Sequence, residues 1–269
     1  MLVKVEAPDL SLSGVYDTTI KDIAGIKNYS QIFHIIEAYF ADPSSADTRI
    51  TDENEFDIRT FKTRSKVSWA LKKTILQFAN EEHKDLASKV FQEKVPLQDK
   101  KFAFLWHFCL NNRLFREITI NVFTKVYFSG RAQISKEDII AYIKDISDKH
   151  DPSKPHWSEE TVYRLATKYL SLMTKFDFVS DGRVKSFNHI RPSAEALVIF
   201  LYFANLFAPN IKNIMDNELI PASFIVKEDI QGKLKKLSMK GFYDMSFNGL
   251  ALNIELKYSH KEICDVLYL

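Results

Sequence analysis

Glycine is the residue that most limits what this chain can become. Only 7 of its 269 residues are Gly, where average usage of about 7% would give roughly 19. Gly supplies the positive φ of tight turns and the close backbone approach of phosphate-binding loops. A chain this short of it fits neither a turn-rich β-sandwich nor a Rossmann enzyme, and long helices are the natural alternative. The apolar share of 46% and the charged share of 27% are those of a folded globular protein, which excludes a disordered or collagen-like chain. With 21 Phe and 11 Tyr, the core is expected to be rich in rings. At about 100–200 residues per domain, the length allows one large domain or two to three small ones.

The two cysteines, Cys109 and Cys264, lie 155 positions apart. They provide neither a disulfide framework nor a four-cysteine zinc site, so both read as buried thiols in a reducing compartment. The opening residues, Met-Leu-Val-Lys-Val-Glu-Ala-Pro, lack the basic-then-apolar order of a signal peptide. The longest apolar run, Ala196 to Phe207 with only Asn205 interrupting, falls short of the roughly 20 residues a membrane span needs. It reads as a buried helix. A soluble cytoplasmic protein with no membrane partner is the expectation.

A net charge of +2 by itself neither implies nor excludes a nucleic-acid partner. The distribution is more informative. Between Asp42 and Asp57 there are six acids and one base; from Arg59 to Lys101 there are 11 bases and five acids. Such asymmetry predicts a surface with a positive face, and an ordinary solvated helix surface is the plainer alternative.

Helical signals follow in order. Tyr29 to Phe40 carries Ile32, Ile35, Ile36 and Tyr39 on one face. Asp42-Pro43-Ser44-Ser45 ends it, and the acidic stretch to Asp57 reads as a loop. Thr60 to Asn80 reads as one long helix with Phe61, Trp69, Leu76 and Ala79 toward the core, and Glu82 to Glu93 as another. Asp99 to Leu110 places Phe102, Leu105, Trp106 and Cys109 at helical spacing, Asn111-Asn112 breaks it, and Arg113 to Phe128 follows until Ser129-Gly130. Ser135 caps the next helix, which carries Ile139, Ile140, Tyr142, Ile143 and Ile146. Asp151-Pro152-Ser153-Lys154-Pro155 is a linker, flanked by His150 and His156, which read as solvated side chains rather than metal ligands.

Ser158 caps a further helix with Glu159 and Glu160 in its first turn. Val162, Leu165, Ala166, Tyr169, Leu172 and Met173 form a single stripe of period 3.6 along it. The alternation from Phe176 to Phe187 around Asp181-Gly182 is a hairpin signal. Near the C-terminus, Lys227 to Lys240 forms a helix that Gly241 ends in a left-handed cap. A hairpin of Phe242 to Phe247 and Leu250 to Tyr258 around Asn248-Gly249 follows. Its alternation puts Tyr243, Met245, Phe247, Leu250, Leu252, Ile254 and Leu256 on a dry face, opposite Asp244, Ser246, Ala251, Asn253, Glu255 and Lys257.

Helix, capped helix, capped helix, hairpin from Arg113 to Phe187 is the outline of a winged helix-turn-helix. The fold class expected is therefore mainly α: a multi-helix protein with a winged helix-turn-helix and a C-terminal helix plus β-hairpin. Its three regions are an N-terminal helical region at 1–95, the winged unit at 96–192 and a C-terminal region at 193–269. A recognition helix needs one buried stripe and a separate polar face. Here that face is Thr161, Arg164, Lys168, Ser171 and Lys175. Arg164 suits a guanine edge, and Lys168 and Lys175 suit phosphates, as do Arg183 and Lys185 on the wing. Glu159 and Glu160 would oppose a duplex unless they cap the helix. The same outline also serves protein-binding modules, so a scaffold remains the alternative. Arg59, Lys62, Arg64, Lys66, Lys72 and Lys73 form a secondary basic face that would widen a DNA footprint.

One enzyme-like pattern stands out. Asp244, then Glu255-Leu256-Lys257, matches the acid, spacer, acid-x-Lys pattern of metal-dependent nucleases, in which two carboxylates hold Mg²⁺ and the Lys positions water. The plainer reading is the wet face of an amphipathic hairpin. No other catalytic signature, phosphate-binding loop or zinc spacing occurs, so no cofactor or metal is expected.

The chain also resembles a known family. Leu105-Trp106, the run Asn112-Arg113-Leu114-Phe115-Arg116-Glu117-Ile118, then Ile134, Asp138, Trp157-Ser158, Thr161, Leu170 and the short Asp-Gly hairpin are similar to the BrxA family of bacteriophage exclusion (BREX) defence systems. The basic helix at Arg59 to Lys73 and the terminal helix–hairpin fit the same plan, so the likeness spans roughly residues 50–256. It implies a mostly helical, non-enzymatic protein that binds double-stranded DNA through helix-turn-helix elements. Such a protein acts beside a methyltransferase and other defence components.

Overall fold

The computed structural model describes residues 14–27, 29–147, 151 and 154–269. Residues 1–13, His150 and the Pro152-Ser153 step of the expected linker lie outside the described residues. The protein is mainly helical, in line with the glycine count. The N-terminal third holds α1 (Ile20–Ile23), α2 (Tyr29–Ala41), α3 (Ala46–Thr51), α4 (Phe61–Thr74) and α5 (Glu81–Val90). The middle of the chain is built on α6 (Leu97–Asn111).

Helix α6 is where the ring-rich composition is used. Every residue from Phe102 to Leu110 is buried, and a helix apolar all round has to be enclosed on all sides. It packs against α5, against α7 (Arg113–Ile118) and against α11 (Ala194–Phe207). Helix α11 is the long apolar run of the sequence and is itself buried along most of its length. Phe102 stacks on Trp106 with centroids 5.6 Å apart, and Trp106 meets Phe200 at 5.2 Å. The Trp106 indole N–H, which would be costly to bury alone, donates to the Ala222 carbonyl at 2.8 Å. Cys109 and Cys264 are free, buried thiols.

Side chains fix where the helices begin. Asn112 turns out of α6 and caps α7, its Oδ1 accepting from the Phe115 N–H at 2.7 Å. Helix α7 passes through a π-helical turn (Thr119–Phe123) into α8 (Thr124–Phe128). Ser135 and Asp138 form a capping box at the start of α9 (Lys136–Ile146), which satisfies two otherwise orphaned N–H groups reciprocally. Ser158 caps α10 (Glu159–Lys175) and Ser193 caps α11. The predicted stripe Val162, Leu165, Ala166, Tyr169, Leu172 and Met173 is buried throughout.

The strands are few and short. β1 (Gln133–Ile134) pairs antiparallel with β2 (Lys185–Ser186), and an isolated bridge joins Val179 to Phe187 beside them. After α11 the chain makes two short 3₁₀ turns, Ile214–Asp216 and Ile220–Ser223. Helix α12 (Lys227–Ser238) follows, then the antiparallel pair β3 (Tyr243–Phe247) and β4 (Leu252–Leu256), and α13 (Ile263–Leu267). Gly241 has φ +84°, the left-handed cap the sequence predicts. Asp265 of α13 accepts from Lys89 and Lys94 at 2.8 and 2.6 Å, which ties the C-terminal turn to α5.

Four expectations are corrected. The acidic stretch is not a continuous loop: it contains α3, and Arg49 grips Glu55 through two bonds of 2.5 and 2.6 Å. Helix α4 stops at Thr74 rather than Asn80, and Phe61 and Trp69 face outward. Its buried side is Val67, Ala70, Leu71 and Thr74, a stripe at i, i+3, i+4 and i+7 whose small residues admit α1 and α3 closely. Asp181-Gly182 is not a two-residue turn. Neither residue has positive φ, which the tight hairpin turn would require. The loop is wider, closed by the Ser180 N–H on the Ser186 carbonyl at 2.8 Å and the Ser180 hydroxyl on the Val184 carbonyl at 2.9 Å. At the tip of β3–β4, Phe247 and Leu250 are exposed rather than on a dry face, and Asn248 Oδ1 holds a four-residue turn by accepting from the Leu250 and Ala251 N–H groups.

Candidate nucleic-acid interface

Burial of one stripe decides which side of α10 faces outward. Glu160, Tyr163, Arg164 and Thr167 are exposed, and Thr161, Lys168 and Ser171 flank them half-buried. Five of the predicted contact positions, Thr161, Arg164, Lys168, Ser171 and Lys175, therefore lie on this helix, but one is turned away. Lys175 Nζ donates to the Ala24 carbonyl at 2.6 Å and to the Ile26 carbonyl, and it sits 4.8 Å over the Tyr29 ring. Burial, with Lys168 nearby, lowers its pKa to about 8. Lys175 thus ties α10 to the end of α1 instead of facing a phosphate.

Tyr163 and Thr167 are surface residues of α10 that the charge-led reading passes over. The helical repeat alone locates them, since they fall opposite the buried stripe. Lys136 of α9 lies 3.9 Å over the Tyr163 ring. The two first-turn acids, expected to oppose a duplex, are each paired. Glu159 meets Lys144 of α9 at 2.8 Å, and Glu160 meets Arg164 at 3.6 Å. Exposed pairs of this kind are worth at most about 1 kcal/mol, so Arg164 can exchange Glu160 for a stronger acceptor.

The loop between Val179 and Phe187 lies beyond the end of α10. Arg183 is exposed near its tip. Lys185 is half-buried in β2, its Nζ donating to the Ser180 carbonyl at 3.2 Å. Helix α1 packs against both α10 and α4, the helix that carries most of the secondary basic face. On α4, Arg64 is engaged: it donates to the Thr51 and Ile58 carbonyls at 2.6 and 3.1 Å. Lys72 pairs with Asp47 at 2.9 Å, and the Ser68 hydroxyl donates to the same carboxylate. Arg59, Lys62, Lys66 and Lys73 remain exposed around Trp69, itself 48% exposed.

The acidic pair of the C-terminal hairpin is also placed. Asp244 and Glu255 are direct cross-strand partners, so the expected shared face is real. Both are exposed on a two-stranded sheet, and Lys257 Nζ is 2.8 Å from Asp244 Oδ1. Among the described residues no group of three or more His, Cys, Asp or Glu is arranged to hold a metal ion. No described helix is long and apolar enough to cross a membrane.

No curated protein and no solved structure matches this chain. A profile of the BrxA family does match, over residues 30–199. That span is more than half of the chain and runs from α2 through the α10 face and the β2 loop into α11. The helical core, the capped pair α9–α10 and the matched span lead to one conclusion: this chain belongs to the BrxA family of BREX phage-defence systems.

Proposed function

We propose that this BrxA-family chain is a non-enzymatic subunit that holds double-stranded DNA through a winged helix-turn-helix, in concert with other proteins of its defence system. The observation that carries this reading is the order and pairing of elements from Arg113 to Phe187. A leading helix, β1, α9, α10, the Val179 bridge and β2 follow one another, and β1 pairs with β2 while Val179 pairs with Phe187. That order and pairing support reading this stretch as a winged helix, with α10 as recognition helix and residues 180–186 as wing. In this reading Arg164 addresses a guanine edge in the major groove. Thr161, Thr167, Lys168 and Ser171 contact the backbone, and Arg183 and Lys185 follow it from the wing. Arg59, Lys62, Lys66 and Lys73 lengthen the footprint. Such contacts replace condensed counterions, so affinity falls linearly in log salt.

Fluorescence anisotropy of a labelled random duplex of about three helical turns, titrated at several salt concentrations, tests the proposal. Saturable binding with a negative salt slope supports it. No binding at low salt overturns it for the isolated chain and brings forward the second reading, a scaffold that docks another subunit. One observation favours that reading: Phe247 and Leu250, at the tip of β3–β4, are 51% and 91% exposed, and exposed apolar patches mark docking surfaces.

A further inference from the structure

One cleft in the described structure lies away from the α10 face. It has a volume of about 890 Å³ and runs between α7 with its π-helical turn and the segment from Met215 to Ile230. Ile120, Met215, Ile220 and Ile225 form the apolar part of its wall, and Glu117, Asp216, Glu218 and Lys227 are on its charged part. Arg116 lies at its floor.

Arg116 is only 8% exposed. A guanidinium carries five N–H donors, yet this one makes a single protein hydrogen bond, from one Nη to the Cys109 carbonyl at 2.8 Å. Its other contact is the Phe207 ring at 5.1 Å. Among the described residues no carboxylate lies within 4 Å of it. The nearest acid on its own helix is already committed. Glu117 accepts from Arg113 at 2.7 Å, from the Tyr16 hydroxyl at 2.8 Å and from the Tyr142 hydroxyl at 3.1 Å. Glu117 and Glu218 act on the guanidinium only at longer range, and an anion in the cleft would accept from its remaining N–H donors. The backbone points to the same place. The π-helical turn Thr119–Phe123 sets Ile120 and Asn121 on the cleft wall, and such turns recur at functional sites.

We propose that this cleft binds a small organic anion, one carboxylate or phosphate group on an apolar body, with Arg116 as its counter-charge. The volume falls within the roughly 300–1,000 Å³ of small-molecule sites. The apolar part of the wall selects an anion with a hydrophobic body over a bare ion, and Asn121 supplies a polar contact in the same wall.

Isothermal titration calorimetry of the full chain with AMP, octanoate and inorganic phosphate tests this. AMP and octanoate separate the phosphate from the carboxylate source. The expected result is saturable binding of at least one of them below about 1 mM, at least about tenfold tighter than inorganic phosphate. Arg116→Gln should weaken it by at least about tenfold. Because that change also removes the bond to Cys109, Ile120→Trp is the companion variant: it keeps Arg116 and fills the cleft, with the same loss expected. If neither probe saturates by about 10 mM, if inorganic phosphate binds as tightly, or if both variants bind like wild type, the proposal is overturned.

Discussion

Acidification should destabilise this protein through two histidines in its core. His83 of α5 and His107 of α6 are fully buried, with His83 Nε2 2.7 Å from His107 Nδ1. The partners assign the protons. His83 Nδ1 accepts from the Ala79 N–H at 3.2 Å, so its proton sits on Nε2 and is donated to His107 Nδ1. His107 then carries its proton on Nε2, donated to the Ile75 carbonyl at 2.6 Å. Every ring nitrogen is used and neither ring has room for a second proton. Burial pushes His107 down to about 4 from the ordinary 6.5, and burial together with the His107 and His260 rings pushes His83 down as well.

An unfolded chain protonates both rings below about pH 6.5, whereas in the folded chain His107 does not protonate until near pH 4 and His83 is likewise held neutral below its ordinary range. Stability is therefore complete above about pH 6.5 and is lost as pH falls from there toward 4. At 1.36 kcal/mol per unit, His107 alone removes about 2 kcal/mol between pH 7.5 and pH 5. His83 and His260, whose pKa burial also lowers, act in the same direction. For a chain of this size the His107 effect alone corresponds to a drop in Tm of roughly 4–8 °C. Carboxylates such as Asp42, held at about 2 by the Ser44 and Ser45 hydrogen bonds, titrate below this window. Calorimetry at pH 7.5 and 5.0, on wild type and on His83→Gln/His107→Gln, measures the difference. A wild-type Tm that is flat across the window, or a loss that persists unchanged in the double variant, would refute the reasoning.

Two further outcomes follow from single contacts. Lys175→Ala should cost about 1–3 kcal/mol in urea denaturation, because the Ala24 and Ile26 carbonyls lose their donor, while duplex affinity changes by less than about twofold. Ser135→Ala removes the capping box of α9 and should cost about 1 kcal/mol, read in the same assay.

Local signals with a single physical meaning were legible in the sequence. Ser135 and Ser158 sit before acids and an apolar stripe, and both cap helices because a hydroxyl next to orphan N–H groups has little else to do. The stripe from Val162 to Met173 reads correctly because burial enforces the 3.6 period. The family resemblance drawn from Asn112 to Ile118 and from Trp157 to Thr161 agrees with the matched span. What failed was competition between signals. Phe61 and Trp69 are larger than Val67, Ala70 and Leu71, and size suggested the wrong face of α4. Asp181-Gly182 has the chemistry of a tight turn, but Ser180 binds Val184 and opens a wider loop. Lys175 reads as a surface cation by type. Only the tertiary position of the α1 end, which brings the Ala24 and Ile26 carbonyls to its Nζ, commits it elsewhere. The Arg116 cleft has no sequence signal, because its two walls are about 100 residues apart.

In the proposed function the α10 face grips the duplex. The most direct measurement is the salt slope of duplex binding for Arg164→Ala/Lys168→Ala beside that of Lys62→Ala/Lys73→Ala. At a slope of about −0.9 per phosphate contact, loss of the α10 pair should weaken binding by tenfold or more, since in the proposed reading Arg164 addresses a base, a contact worth about 1–3 kcal/mol. The α4 pair should flatten the slope by at most about two contacts, with a smaller loss of affinity. An α10 variant that binds like wild type, with the loss confined to α4, would contradict the account.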